Sequence, residues 1–321
     1  MSAQIVVCLD AVPTRIKYAS AVERMNGNAE GVGMGGARRR FLAITLAMSG
    51  SVWSAALAAD ISPRFAISTD AQGLPAVDGI NAKVSGFGGS LNGQAMFGGE
   101  GSISVPLGYR FGFQLDGLVS GIDSKHHGNV TTTGAAAHLF WRDPAAGLLG
   151  AYGRYWHADA FSGVNLYIAA AQGALYNGRF ALEGIAGVES GNVALEGFGS
   201  RTLGTYFVDV MKLSYYPTDN FKLSVGHSYS LGTHSFLIRA EHGFSIGGGK
   251  MAALYARGSV SADGDASVLA GLRVYFGQRD KTLIQRHRED DPPNYMKTAP
   301  IGTPISLLFI GAALIFLPSI Q

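Results

Sequence analysis

Only one cysteine occurs in the 321 residues, Cys8. It precedes the segment read below as an export signal, so the mature chain has neither a disulfide nor a thiolate metal site. Charge is scarce too: Asp, Glu, Lys and Arg make up 15% of the chain and the formal net charge is +2. So small a surplus offers no basic face to nucleic acid. Long apolar runs are missing from the middle of the chain, although apolar residues reach 47%. That excludes a bundle of membrane helices, each of which needs about 20 consecutive apolar residues. Phosphate-loop (Gly-x-x-x-x-Gly-Lys-Ser/Thr) and zinc-protease (His-Glu-x-x-His) motifs are also missing. Gly247-Gly248-Gly249-Lys250 has no hydroxyl after its lysine and reads as a turn. No cofactor, metal ligand set or catalytic residue is therefore expected.

Glycine, by contrast, is abundant. There are 45, roughly twice the usual share and without the three-residue period of collagen. Glycines inside apolar, alternating segments belong to crowded or bent strands. Near the N-terminus, Arg38-Arg39-Arg40 precedes the apolar stretch Phe41 to Met48, and Ala56-Leu57-Ala58 follows. Basic, apolar and small-residue parts in that order form an export signal, with Ala56 and Ala58 at the positions a signal peptidase reads. Met34 stands directly before it. Residues 1–33 are accordingly expected to be a non-native extension, 34–58 the signal peptide and 59–79 a periplasmic N-terminal segment.

From Ile80 to Phe276 the chain is a succession of alternating segments of roughly 9–13 residues, separated by turn residues. In Phe111 to Ser120, one face carries Phe111, Phe113, Leu115 and Val119, and the other Gln114, Asp116 and Ser120. Phe221 to Val225, Phe180 to Glu183, Phe236 to Glu241 and Leu272 to Phe276 repeat the scheme. Tight turns at Pro106-Leu107-Gly108, Asp143-Pro144, Asn177-Gly178, Pro217 to Asn220 and Gly247 to Gly249 take turns with looser links. The latter lie near Leu91 to Gly93, Ser124 to Gly128, Asp159 to Gly163, Ser190 to Arg201, Ser230 to Gly232 and Ser261 to Asp265. The count of segments is about twelve (10–14), an even number. Strands of about ten residues match a tilted crossing of the hydrocarbon layer. Short turns at one end and longer loops at the other are the pattern of a transmembrane barrel. A soluble sandwich would need polar outer faces, whereas here the richer face is Phe, Leu, Val, Ile, Ala and Gly. Lipid demands internal pairing of every backbone group, so the sheet must close. The expected fold is all-β, a closed antiparallel transmembrane barrel over 80–276. Aromatics near strand ends (Tyr109, Trp141, Tyr155, Trp156, Tyr176, Tyr215, Tyr216, Tyr229 and Phe276) are expected to form interfacial girdles.

Gly271-Leu272-Arg273-Val274-Tyr275-Phe276 resembles the C-terminal assembly signal of Gram-negative outer-membrane β-barrel proteins: Gly271, alternating residues including Val274, and the closing aromatic Phe276. With the export signal, the resemblance covers about Arg38 to Phe276, at the level of the porin-like class and without a subfamily. It implies residence in the cell outer membrane, contact with outer-membrane lipid, and insertion by the barrel assembly machinery. The family usually stops at that aromatic; this chain runs on to Gln321. Residues 277–300 are strongly charged and read as a solvated periplasmic linker. Residues 301–321 form an apolar tail, short for a membrane helix and of unassigned role.

Parity places Lys83, Glu100, Asp116, Arg154, Glu183, Asp209, Lys222, Arg239, Glu241, Arg257 and Arg273 in the lumen. A lining of nearly balanced charge fits either a pore or a cross-lumen ion-pair network. Small barrels are filled by side chains and large ones leave channels, so twelve strands imply a narrow or occluded lumen. Among the histidines, the His126-His127 pair has no third ligand at a recognisable spacing and reads as loop residues. Asp159 near His157 is a weak echo of a protease couple. Outer-membrane lipid hydrolases place His and Ser two apart on one strand face, and no His-x-Ser occurs. His227-Ser228 and His234-Ser235 are adjacent and face opposite ways. The expected function is a porin-like or structural barrel, admitting at most passive diffusion of small solutes. The alternative is an outer-membrane enzyme acting on lipid or peptide. Oligomeric state is not legible.

Overall fold

The structure, a computed structural model, describes residues 73–296 apart from 125–127, 161 and 196–198. The export-signal residues, including Ala56 and Ala58, the pair His126-His127 and the tail 301–321 lie outside the described residues.

Twelve strands follow one another: β1 (Asn81–Leu91), β2 (Gln94–Pro106), β3 (Phe111–Ser124), β4 (Gly128–Asp143), β5 (Gly147–Ala158) and β6 (Val164–Asn177). The second half is β7 (Phe180–Leu195), β8 (Gly199–Thr218), β9 (Phe221–Ser230), β10 (Thr233–Gly247), β11 (Lys250–Ser261) and β12 (Ala266–Phe276). Each pairs antiparallel with its sequence neighbours, and β1 pairs with β12 from Ala82 opposite Phe276 to Leu91 opposite Ser267. The sheet is thereby a closed barrel, and every strand has two partners.

Alternation decides which side chains meet water-like and which meet lipid-like surroundings. Along β3, Gln114, Asp116, Leu118, Ser120 and Ile122 point inward and are buried, while Phe111, Leu115 and Val119 are about half exposed outside. The same division runs around the barrel. Outside are Val84, Leu139, Leu175, Leu213, Val225, Ile238, Leu254 and Leu272; inside are serines, glutamines and charged groups together with a buried apolar cluster that includes Phe87, Leu118, Trp156 and Ile168. An apolar exterior over an interior that holds the charged groups inverts the arrangement of a soluble domain, and it is the arrangement that lipid requires. Tyr109, Phe111, Phe180, Tyr215 and Phe276 ring one rim, and Tyr155, Tyr167 and Phe207 lie outside toward the other. Trp156, Tyr176 and Tyr216, expected in these girdles, instead face inward and are buried.

The expected contrast between tight turns and longer loops is weaker than the sequence implied. Asn92-Gly93 and Leu231-Gly232 are two-residue links with both residues at positive φ. That is the type I′ geometry that matches strand twist. At Asn177-Gly178 the turn residues are Gly178 and Arg179, because Asn177 pairs with Phe180 inside the ladder. Extra length at this end goes into strands: β7 has 16 residues and β8 has 20.

The largest departure concerns residues 277–300. Described as far as Met296, this stretch is not a solvated linker. After Gly277 the chain turns back at the rim where β1 begins and β12 ends. It makes a short helical turn (α1, Leu283–Gln285), a single π-helical turn (Arg286–Asp290), and then an extended run into the lumen. Arg286, Asp290, Asp291, Tyr295 and Met296 are buried. A charged segment can lie there because the barrel wall supplies the counter-charges and hydrogen bonds that water would otherwise provide.

Candidate functional site

The lumen is lined by two polar systems. On β2, β3, β4 and β6 a hydrogen-bonded chain runs across the wall. Ser104 Oγ donates to Gln114 Oε1 at 2.7 Å, and Gln114 Nε2 donates to Asp116 Oδ1 at 2.8 Å. His138 then bridges Asp116 Oδ2 (2.9 Å) and Gln172 Oε1 (2.7 Å) through its two ring nitrogens. On the opposite wall Arg273 is the hub. Its guanidinium reaches Glu241 Oε1 at 2.9 Å, Glu100 Oε1 at 3.0 Å and Ser85 Oγ at 3.0 Å. Arg257 lies 3.7 Å from Glu100 and Arg239 lies 3.3 Å from Glu241. Glu183 holds Lys222 at 3.3 Å and Lys212 at 3.8 Å.

The inward set is therefore Lys83, Glu100, Asp116, Arg154, Glu183, Lys222, Arg239, Glu241, Arg257 and Arg273. Asp209 does not belong to it. Its neighbours Val208 and Val210 are buried, and Asp209 turns outward to His227 Nδ1 at 3.2 Å. His227 in turn meets His234 at 2.9 Å on the exposed face of the barrel. The inward charge on β8 is Lys212, which shares parity with the buried Ser214 and Tyr216. Positions 209 and 212 are an odd number apart, so one strand cannot present both to the lumen. Arg142, His138 and Glu189, all buried on the inner side, were also missed. Of the assembly-signal residues, Phe276 is half exposed outside, Val274 is partly exposed, and Gly271 abuts Gly86 of β1 and the Tyr255 ring of β11.

The hydrolase patterns dissolve on inspection. His157 hydrogen-bonds Asn165 at 2.9 Å, while Asp159 accepts from the backbone of Thr131 at 2.5 Å. His234 is exposed and Ser235 buried, on opposite faces of β10. Gly243-Phe244-Ser245-Ile246-Gly247 does spell Gly-x-Ser-x-Gly. It closes an antiparallel strand before the Gly248-Gly249 turn, whereas a nucleophile elbow joins a strand to a helix.

The C-terminal segment fills part of this lumen. At the rim, Ile284 N donates to Asp219 O (3.0 Å), Leu283 N to Asn220 Oδ1 (3.0 Å) and Arg288 Nη2 to Gly178 O (2.7 Å). Lys281 gathers Asp78 (2.7 Å), Glu289 (3.0 Å) and Asp290 (2.6 Å). One turn deeper, His287 contacts the hydroxyls of Tyr216 (2.9 Å) and Tyr275 (3.1 Å). Lys83 donates to Pro292 O at 3.3 Å and lies 3.9 Å from Asp291, whose Oδ1 is 3.0 Å from Ser104 Oγ. Deepest, the Tyr295 ring packs against Tyr152 (5.7 Å between centroids) and under the Lys212 ammonium (4.6 Å). Beside it, Met296 reaches Gly134, where any Cβ would strike its methyl.

The segment leaves space along the β8–β12 side. A cavity of ≈ 130 Å³ lies between Tyr295, Met296 and the wall, and one of ≈ 30 Å³ lies beside Pro292, Pro293 and the Lys222–Glu183–Arg239 cluster.

No protein-family model and no curated protein matches the chain. Solved structures similar to it include a KdgM porin in complex with disordered oligogalacturonate, at 8% identity over 61% of this chain and 99% of that one, TM-score 0.44. An outer-membrane channel from Pseudomonas putida F1 is 14% identical over 64% and 97%, TM-score 0.45. The translocator domain of the autotransporter NalP from Neisseria meningitidis is 14% identical over 66% and 91%, TM-score 0.43. The class is settled by the barrel's own build: twelve closed antiparallel strands, apolar outside and charged within, are those of an outer-membrane β-barrel.

Proposed function

We propose that the protein is a channel for small solutes that its own C-terminal segment holds closed. One observation carries this reading: residues 286–296 occupy the lumen of a barrel whose inner wall combines charged and hydrogen-bonding groups with a buried apolar cluster. Barrels of eight strands are filled by their own side chains. Twelve strands enclose more space, and here much of it is taken by a separate stretch of backbone joined to β12 through Gly277. Near the rim its contacts are mainly hydrogen bonds and ion pairs, while Tyr295 and Met296 join the buried apolar cluster deeper in the lumen. Such polar contacts are exchanged for water at small net cost when a segment leaves. If the rim where β1 begins, β12 ends and the segment enters is the periplasmic one, as the short turns there suggest, the closing element acts from inside the cell envelope.

Planar-bilayer recording tests this directly. The full chain is expected to show rare, small openings, and a chain ending at Gln278 a steady and several-fold larger conductance. Equal conductance of the two, with both folded by gel heat-modifiability, would show that the segment does not gate the lumen.

A further inference from the structure

Lys212, Arg239 and Arg257 line the ≈ 130 Å³ cavity together with apolar side chains, and among the described residues no carboxylate lines it. Each nearby carboxylate is shared between cations: Glu183 between Lys222 and Lys212, Glu241 between Arg273 and Arg239, and Glu100 between Arg273 and Arg257, so each cavity cation spends only part of its donor set on its carboxylate. The cations are left with donors to spare. Arg239 Nε, Arg257 Nε and Arg257 Nη2 are buried without a hydrogen-bond partner among the described residues, and so are the hydroxyls of Ser228 and Ser235 on the same wall. Ser228 is 1% exposed and Ser235 4%. Buried donors left unsatisfied cost free energy, and here five of them surround one space in company with three positive charges. Ser259 and Ser267, hydrogen-bonded to each other at 2.8 Å, complete a hydroxyl-rich floor. The volume is about ten times the minimum that admits one water, enough for a tetrahedral or planar oxyanion.

From this we propose that the cavity binds the oxyanion group, phosphate or carboxylate, of a small solute. The assignment rests on the channel reading for its physiological meaning, since it names the class of solute the channel would take. Guanidinium groups match such oxygens in pairs, and the hydroxyls supply further donors. Leu237, Leu269 and Met296 close the remaining wall with apolar surface that a small organic remainder would meet. The site lies toward the end of the barrel opposite the start of β1, near the start of β10 and β12, so it faces solute arriving from that side while the C-terminal segment enters from the other.

The test uses the full chain, folded in detergent micelles at low ionic strength. Calorimetric titration with inorganic phosphate and with acetate should show saturable binding by at least one, no less than tenfold tighter than chloride. Whichever binds identifies the oxyanion. The paired variant Arg239→Gln with Arg257→Gln should weaken binding at least tenfold. Glu100 and Glu241 keep Arg273 in that variant, so the wall retains its hub. Should the pair fail to fold by gel heat-modifiability, Ser228→Ala and Ser235→Ala carry the test, each expected to weaken binding two- to fivefold. Phosphate and acetate no tighter than chloride, or undiminished binding in the folded variants, would overturn the site. This readout needs no conductance, so it can fail while the channel reading stands, and the reverse.

Discussion

Arg273 sits between two buried carboxylates, 2.9 Å from Glu241 and 3.0 Å from Glu100. Removing one member of such a buried set leaves charge without compensation, at about 3–5 kcal/mol. Arg273→Met should therefore lower the urea midpoint of the vesicle-refolded barrel by an amount worth about 3–5 kcal/mol. Asp209→Asn, on the partly exposed exterior, should shift it by less than about 1 kcal/mol. A larger effect at Asp209 would mean that the wall network does not stabilise the barrel. Leu115 tests the outer face: it is half exposed there, and Leu115→Arg should cost about 2–4 kcal/mol near mid-membrane. Unchanged folded fraction of Leu115→Arg in lipid vesicles would mean that this position is not lipid-facing. At this scale, period-2 parity made most of the lumen legible in the sequence. It failed on β8, where Val208 and Val210 are inward and apolar while Met211 and Leu213 are outward and apolar. Without polar contrast the face of Asp209 could not be read.

Strands were legible because each carries its own alternation between turn residues, a local signal. The segment 277–296 was not, because the same charges that mark a solvated stretch also suit a polar lumen. Its partners lie far away in sequence: Asp291 meets Lys83 and Ser104, and Arg288 contacts Arg142 and Gly178. Composition reports what a segment carries, not what is placed opposite it by barrel closure. Closure itself depends on the β12 seam. A side chain at Gly271 would run into the backbone oxygen of Gly86 on β1 and the ring of Tyr255 on β11, whereas one at Gly117 would meet open space. Backbone cannot yield as a flexible side chain does, so Gly271→Val should reduce the heat-modifiable folded fraction severalfold. Gly117→Ala, outside on β3, should leave it unchanged. Similar losses in both variants would show that crowding at the seam is not the cause.

For the whole molecule, the proposed closure of the lumen by the terminal segment predicts a pH dependence set by that segment's titratable groups. His287 lies on the terminal segment one turn in from the rim, faced by Tyr216 of β8, Lys222 of β9, Glu241 of β10, Tyr275 and Arg273 of β12, and Lys83 of β1. Burial holds its imidazole well below 6.5, helped by Lys222, Lys83 and Arg273 against the pull of Glu241. The docked segment thus carries neutral His287. Below pH 6.5 a released segment binds a proton that the docked one refuses, so this group weakens closure as pH falls. Asp290 works the other way. Burial lifts its carboxyl from 3.8 to about 6, outweighing Lys281 beside it and adding to the repulsion of Asp291. Between pH 6 and 3.8 the docked form binds the extra proton, so acidification strengthens closure, by at most about 3 kcal/mol. The two opposing groups should leave the native channel with a shallow response between pH 7 and 4.5. Single variants separate them. Asp290→Asn leaves His287 alone, and open probability should rise several-fold on acidification. His287→Gln leaves Asp290 alone, and open probability should fall over the same range. Bilayer recordings of both variants at pH 7, 6, 5 and 4.5 decide the matter: responses of the same sign would show that something other than docking of this segment sets the pH dependence.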